Sequence, residues 1–168
     1  MIGQVTGGLA GLAKKRRVKV ITGTGEFTSP HNLSIRGPAG ERTIRFSQAI
    51  IAAGSQAISL PGLPEDPRVI DSTGALALDH IPDHLLIIGG GIIGLELATV
   101  FRALGSQISI VEMSPQLIPG ADPDLVKPLA KRLAKQCDGI YLNTRGIGVQ
   151  PQDDGLPVHF EGDNPPNE

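Results

Sequence analysis

The apolar run Leu85-Leu-Ile-Ile88 breaks on three consecutive glycines, Gly89, Gly90 and Gly91. A helix-type pattern beginning Ile92-Ile-Gly-Leu-Glu96 follows, and a second apolar run, Ile108-Ser-Ile-Val111, ends on Glu112. A strand that turns on glycine directly into a helix and returns as another strand is a βαβ unit. Such crossovers are what parallel strands require. This order of elements places the chain in the α/β class. Gly89, Gly91 and Gly94 also stand at G-x-G-x-x-G spacing, and Glu112 lies about 20 residues beyond the turn, where an acidic residue can hold ribose hydroxyls.

Each residue type in that pattern has a physical task. Gly89 lets the chain turn sharply out of the strand. Gly91, lacking Cβ, lets backbone approach a pyrophosphate, and Gly94 lets helix and sheet pack closely. The free N–H groups and positive dipole end of the helix starting at Ile92 and Ile93 would receive the pyrophosphate. Glu112 would accept from the 2′ and 3′ hydroxyls. Since a 2′-phosphate would add negative charge beside that carboxylate, NAD is favoured over NADP.

The rest of the chain reads as short elements. Gln4 to Arg17 predicts a helix with Val5, Leu9, Leu12 and Ala13 on one face, and its basic end, Lys14-Lys-Arg-Arg17, suits a solvated helix C-terminus. Val18 to Thr22 predicts a strand. The alternating runs Gly25–Thr28, Asn32–Ile35 and Arg42–Phe46, parted by turn residues, predict an antiparallel meander. Gln48-Ala-Ile-Ile-Ala-Ala-Gly54 reads as an interior parallel strand, and Leu60 to Pro67 as a proline-rich joint. Asp71-Ser72 suits the cap of a turn over Thr73 to Leu78.

Further on, the pattern predicts a helix over Ile92–Leu104 stopped by Gly105, and a strand over Gln107–Val111. Leu117 to Gly120 reads as a loop. A second helix is expected behind the candidate N-cap Asp122, with Leu125, Leu129, Leu133 and Ala134 on one side. Ile140–Asn143 reads as a third parallel strand. Gly146–Gln150 and Leu156–Phe160 read as a hairpin around Gln152–Gly155, ahead of a polar tail expected to fray, Glu161–Glu168.

Composition narrows the function classes. Aromatics are 3% of the chain, so its core must be mostly Ile, Leu, Val and Ala. A net charge of −2 gives no electrostatic reason to expect nucleic acid or an anionic membrane. No apolar run reaches membrane-spanning length and the start lacks a signal-type apolar region, so a cytoplasmic setting is expected. His80 and His84 have no Cys, Asp or Glu partners at ligand spacing and read as surface-loop residues, so no metal site is expected. A single cysteine, Cys137, excludes an internal disulfide and reads as a buried free thiol.

Several stretches together carry a family resemblance: Gly7-Gly-Leu-Ala-Gly-Leu-Ala-Lys14, Gly23-Thr-Gly-Glu-Phe27, Ile50-Ile-Ala-Ala-Gly-Ser55, Leu60-Pro-Gly-Leu-Pro64 and Gly89–Glu96. In this order they resemble the dihydrolipoamide dehydrogenases of the pyridine nucleotide–disulfide oxidoreductase family, over nearly the whole chain. The resemblance implies a Rossmann-like FAD/NAD(P)-binding fold. Residues 1–60 would be the end of an FAD-binding domain with its meander, 61–84 a linker, and 85–168 the first half of an NAD-binding domain.

It further implies FAD and NAD as cofactors and dihydrolipoamide as reductant. The implied partners are the lipoyl domain of a 2-oxo-acid dehydrogenase complex and a second copy of the enzyme in a homodimer. By position, Gly25 matches a glycine at the adenine end of FAD, and Ala53, Gly54 and Ser55 a motif lying against that cofactor. Gly89 to Gly94 and Glu112 match the NAD site, and Glu96 a glutamate near flavin and nicotinamide. The family's C-x-x-x-x-C redox pair, first glycine fingerprint and dimer-interface domain find no counterpart here. The chain therefore reads as an internal part of such an enzyme, with no catalytic residue of its own. A related flavin disulfide reductase and a non-catalytic nucleotide-binding module are the alternatives.

Overall fold

The computed structural model describes residues 2–163 and 165–166, and the side chains of Ile2, Gln4 and Val5 lie outside the description. The chain divides into two compact units, Met1–Gly54 and Ser55–Glu168.

In the first unit, α1 (Ile2–Lys15) carries the expected helix, ending on Lys14 and Lys15 at the negative end of its dipole. The glycine-weakened face remains open, with Leu9 and Leu12 exposed. The meander forms as expected: β1 (Thr24–Ser29), β2 (Asn32–Gly37) and β3 (Gly40–Arg45) pair antiparallel in that order. Alternation sorts its faces. Leu33 stands opposite Phe27 and Ile44, while the other face carries polar pairs. Ser34 Oγ donates to Glu41 at 2.7 Å and Arg36 bridges Glu26 at 2.8 Å. Phe27 and Phe46 meet edge to face, with ring centroids 5.9 Å apart.

Two expected strands do not form. Val18–Thr22 is irregular, with Val20 exposed. Gln48–Gly54 is also irregular, and Ile50 is 95% exposed. The physical reason is pairing. An apolar run becomes a parallel strand only where neighbours complete its hydrogen-bond ladder, and among the described residues neither segment has one.

The second unit begins with an irregular segment that takes in the proline-rich joint. Arg68 closes that segment on itself and on a distant loop. Its guanidinium pairs with both carboxylate oxygens of Asp66 and donates to the carbonyls of Gln152 and Gly155. The short helix α2 (Ser72–Ala77) is capped as the sequence suggests, Asp71 accepting from Gly74 N–H at 2.8 Å.

The βαβ pattern then follows its expected course. β4 (His84–Ile88), β5 (Gln107–Val111) and β6 (Gly139–Tyr141) form a parallel sheet in that order, with α3 (Ile92–Leu104) and α4 (Pro123–Leu133) as the crossovers. Gly105 ends α3 in the left-handed region, at φ 117°. The core lies on one sheet face. Ile108 and Ile110 are fully buried under Leu95, Ala98 and Phe101 of α3, with Leu85 and Ile87 packed against the same cluster.

α4 turns inward a face that keeps Leu129 and Leu133 of the expected stripe but not Leu125 or Ala134. Val126 and Leu133 are buried with Leu129 and Ala130 beside them, while Leu125 is 69% exposed and Ala134 is exposed as well. A stripe spaced i, i+3, i+4, i+7 follows the helix better than repeats of four, which drift around the axis. Asp122 precedes α4 in an extended conformation, but its side chain makes no capping bond. β7 (Thr144–Val149) and β8 (Val158–Gly162) complete the expected hairpin, closed where Gln152 N–H donates to Gly155. Of the tail, Asn164, Asn167 and Glu168 fall outside the described residues.

Candidate dinucleotide site

The glycine turn and Glu112 leave the sheet side by side. In the β4–β5 register Ile88 faces Val111, so the residues that follow, Gly89 and Glu112, emerge together at the carboxyl ends of the strands. That is where open α/β sheets bind ligands. The ladder runs on beyond the strands: Gly89 N–H donates to Val111 O at 2.8 Å and Glu112 N–H to Tyr141 O at 2.8 Å.

The glycines differ in what they permit. Gly89 has φ 111°, a conformation that side chains resist. A Cβ on Gly94 would collide with the carbonyl oxygen of Gly89, so close helix–sheet packing depends on its absence. A Cβ on Gly91 would meet nothing within 4 Å, which leaves open space at the start of α3. Gly91 caps that helix without a side-chain bond, and the first helical bond runs from Leu95 N–H to Gly91 O at 3.1 Å. The N–H groups of Ile92, Ile93 and Gly94 therefore have no intrahelical partner, the arrangement that receives an anion. These features fit a dinucleotide pyrophosphate.

Glu112 is 6% exposed and doubly held. One carboxylate oxygen accepts from Gly90 N–H at 2.8 Å and the other from Ser114 N–H at 2.7 Å. An ionised carboxylate offers about four acceptor positions, so each oxygen retains capacity for a hydroxyl donor. The carboxylate is thus oriented in advance and also fits the ribose.

Ile92 and Ile93 are 61% and 60% exposed on the first turn of α3, and Glu96 is exposed one turn further on. Gly25 lies within β1, whereas Ala53, Gly54 and Ser55 fall in an exposed irregular stretch. No hydrogen bond among the described residues ties Gly25 to Ala53 or Gly54. His80 and His84 are exposed, and the described residues hold no cluster of three metal-ligating side chains. Cys137 is half-buried against the core, and burial pushes its thiol above the usual cysteine range. No helix among the described residues is long and apolar enough to cross a membrane.

Sequence reasoning missed the parts that join the turn to the carboxylate. Leu117 and Ile118 read only as loop, yet Leu117 is 2% exposed and Ile118 N–H donates to Gly90 O at 2.8 Å. The one available signal was a glycine at Gly90, a position that the fingerprint leaves open.

The chain is 50% identical over 167 residues to a dihydrolipoyl dehydrogenase of Vibrio cholerae, covering 99% of this chain and 35% of that protein. It is 48% identical to a dihydrolipoyl dehydrogenase of Haemophilus influenzae, covering 96% of this chain and 34% of the relative. The chain thus spans about a third of the length of the curated relatives it matches. Among solved structures, the Cu(II) complex of the HOCl-induced flavoprotein disulfide reductase RclA from Escherichia coli superposes with a TM-score of 0.73 at 35% identity, over 84% of this chain and 32% of that one. LpdA from Mycobacterium tuberculosis shares the fold, with a TM-score of 0.82 at 22% identity over 94% of this chain and 36% of that one. The sequence pattern described as Pyridine nucleotide-disulphide oxidoreductase matches residues 1–162, and the chain belongs to that family.

Proposed function

We propose that this chain carries the NAD-binding portion and part of the FAD wall of a dihydrolipoamide dehydrogenase. The observation that carries the reading is Glu112, held by Gly90 and Ser114 beside the open N-terminus of α3. In the whole enzyme, NAD and FAD with a redox disulfide would supply the electron transfer from dihydrolipoamide. The residues of this chain bind and orient. The N–H groups at Ile92 to Gly94 take the pyrophosphate, Gly91 leaves room for it, and Glu112 accepts from the ribose hydroxyls.

Residues 1–60 are assigned to the FAD-binding domain, 61–84 to a linker and 85–168 to the NAD-binding domain. Gly25, Ala53, Gly54 and Ser55 lie toward FAD in this assignment, and Glu96 toward the flavin and nicotinamide. The proposed partners are a lipoyl domain of a 2-oxo-acid dehydrogenase complex and a second copy of the enzyme, in the cytoplasm. The likeness to RclA at 35% identity favours a second reading, another flavin disulfide reductase.

Fluorescence titration with NADH and NADPH tests the nucleotide assignment. NADH should bind more tightly, and equal or tighter binding of NADPH would sink it. Lipoamide turnover should be absent from this chain alone, because one cysteine gives no intramolecular dithiol/disulfide couple within its 168 residues. In the whole enzyme, lipoamide reduction separates the first reading from the second.

A further inference from the structure

Gly90 occupies a position that the glycine fingerprint leaves variable, yet both its N–H and its carbonyl are engaged. Its N–H holds the buried carboxylate of Glu112 at 2.8 Å. Its carbonyl accepts from Ile118 N–H at 2.8 Å. A Cβ at this position would lie 2.6 Å from Leu117 Cδ2 and 3.1 Å from Glu112 Cβ. The space that a side chain would need is therefore filled by the two residues it serves.

Ile118 supplies an independent observation. It has φ 47°, left-handed backbone that a β-branched residue resists. That geometry accompanies two bonds, from Ile118 N–H to Gly90 O and from Ala121 N–H to Ile118 O. The loop after β5 is thus bent so that Leu117 fills the space under Gly90 and Ile118 bonds to it.

We propose that Gly90 is a positioning residue for dinucleotide choice, fixing the Glu112 carboxylate at the ribose through its N–H, its carbonyl and its missing side chain. This rests on the NAD reading above and deepens it, since the selecting carboxylate acts only as well as its backbone anchor. An alanine at position 90 must push against Leu117 and Glu112 together. The bond to Glu112 then loosens, and the carboxylate's discrimination against a 2′-phosphate weakens with it.

The test is titration of the 168-residue chain with NADH and with NADPH, alongside thermal melting, for wild type, Gly90→Ala and Gly90→Ala/Leu117→Ala. Gly90→Ala should bind NADH about tenfold more weakly and NADPH less affected, so that the NADH/NADPH preference falls. Removing the Leu117 side chain beyond Cβ clears the nearest obstruction, so the double variant should fold and recover most of the preference. An unchanged preference in Gly90→Ala, or equal weakening of both nucleotides, overturns the proposal and leaves the NAD reading standing. If Gly90→Ala fails to fold, the double variant decides: its failure to fold, or to show wild-type-like preference, overturns the proposal. A wild-type chain that binds neither nucleotide overturns the NAD reading, and this inference falls with it.

Discussion

The carbonyl oxygen of Gly89 occupies the space that a side chain on Gly94 would need. The contact joins the end of β4 to the first turn of α3, so the two elements cannot part without opening the glycine turn. Gly94→Ala should destabilise the chain by about 1–3 kcal/mol through overpacking. Gly91→Ala, which meets nothing within 4 Å, should leave stability nearly unchanged and weaken NADH binding. Urea unfolding midpoints measured beside NADH titrations check this contrast, and equal stability losses in the two variants would refute it.

Phe101 is 1% exposed and stands over the fully buried Ile108 and Ile110. Phe101→Ala should cost about 3–5 kcal/mol. Native domains hold only about 5–15 kcal/mol in all, so loss of a cooperative melt is the expected outcome. A variant whose thermal transition matched wild type would place the core elsewhere.

Asp71 accepts from Gly74 N–H at the start of α2, which places Ala75 in the core. Asp71→Ala should destabilise by about 1 kcal/mol, while Asp71→Asn, another good cap, should recover most of the loss. The comparison of the two melting temperatures is decisive, because only capping predicts the rescue.

The Arg68 guanidinium holds the Asp66 carboxyl down to about 2, chiefly by hydrogen bonding. A folded value depressed below the ordinary 3.8 gives stabilisation that is present above that ordinary value and lost as pH falls toward 2. Carboxyl NMR titration should place the Asp66 midpoint well below the ordinary 3.8. In Arg68→Ala its midpoint should return toward the ordinary value, and the loop at Gln152–Gly155 should become more mobile. An Asp66 midpoint unaffected by that substitution would break the assignment.

Cys137 should react with an aromatic disulfide reagent more slowly than a free exposed thiol, because burial raises its pKa and limits access. Mild urea should speed the reaction sharply. Fast labelling of the folded chain would contradict the packing seen around Cys137.

The elements most legible from sequence were those whose signals are local. The turn of Gly89 to Gly94, the stop at Gly105 and the cap at Asp71 depend on φ angles and neighbouring N–H groups, which single residue types announce. Gln48–Gly54 misled because its apolar composition says nothing about whether a neighbouring strand is there to pair with it. Leu125 misled because repeats of four imitate a helical stripe over two turns. Within the site, Glu112 was legible by its distance from the glycines. Its clasp by Gly90 and Ser114, and the bond from Ile118 that braces Gly90, were not, since those contacts link segments more than 20 residues apart or run through a backbone N–H that no residue type announces.

The pairing of Ile88 with Val111 turns strand length into a gauge of the distance from the glycine turn to Glu112. Turn and carboxylate each begin one residue beyond that pair, so the span between the proposed pyrophosphate and ribose contacts is set by how far two strands run. Added residues in the loop that follows β6 would leave that span alone. One residue inserted into β4 or β5 would shift one contact past the other by about 3.3 Å and reverse every side chain beyond it. This α/β unit can therefore vary in its outer loops, but the two strands can change length only together.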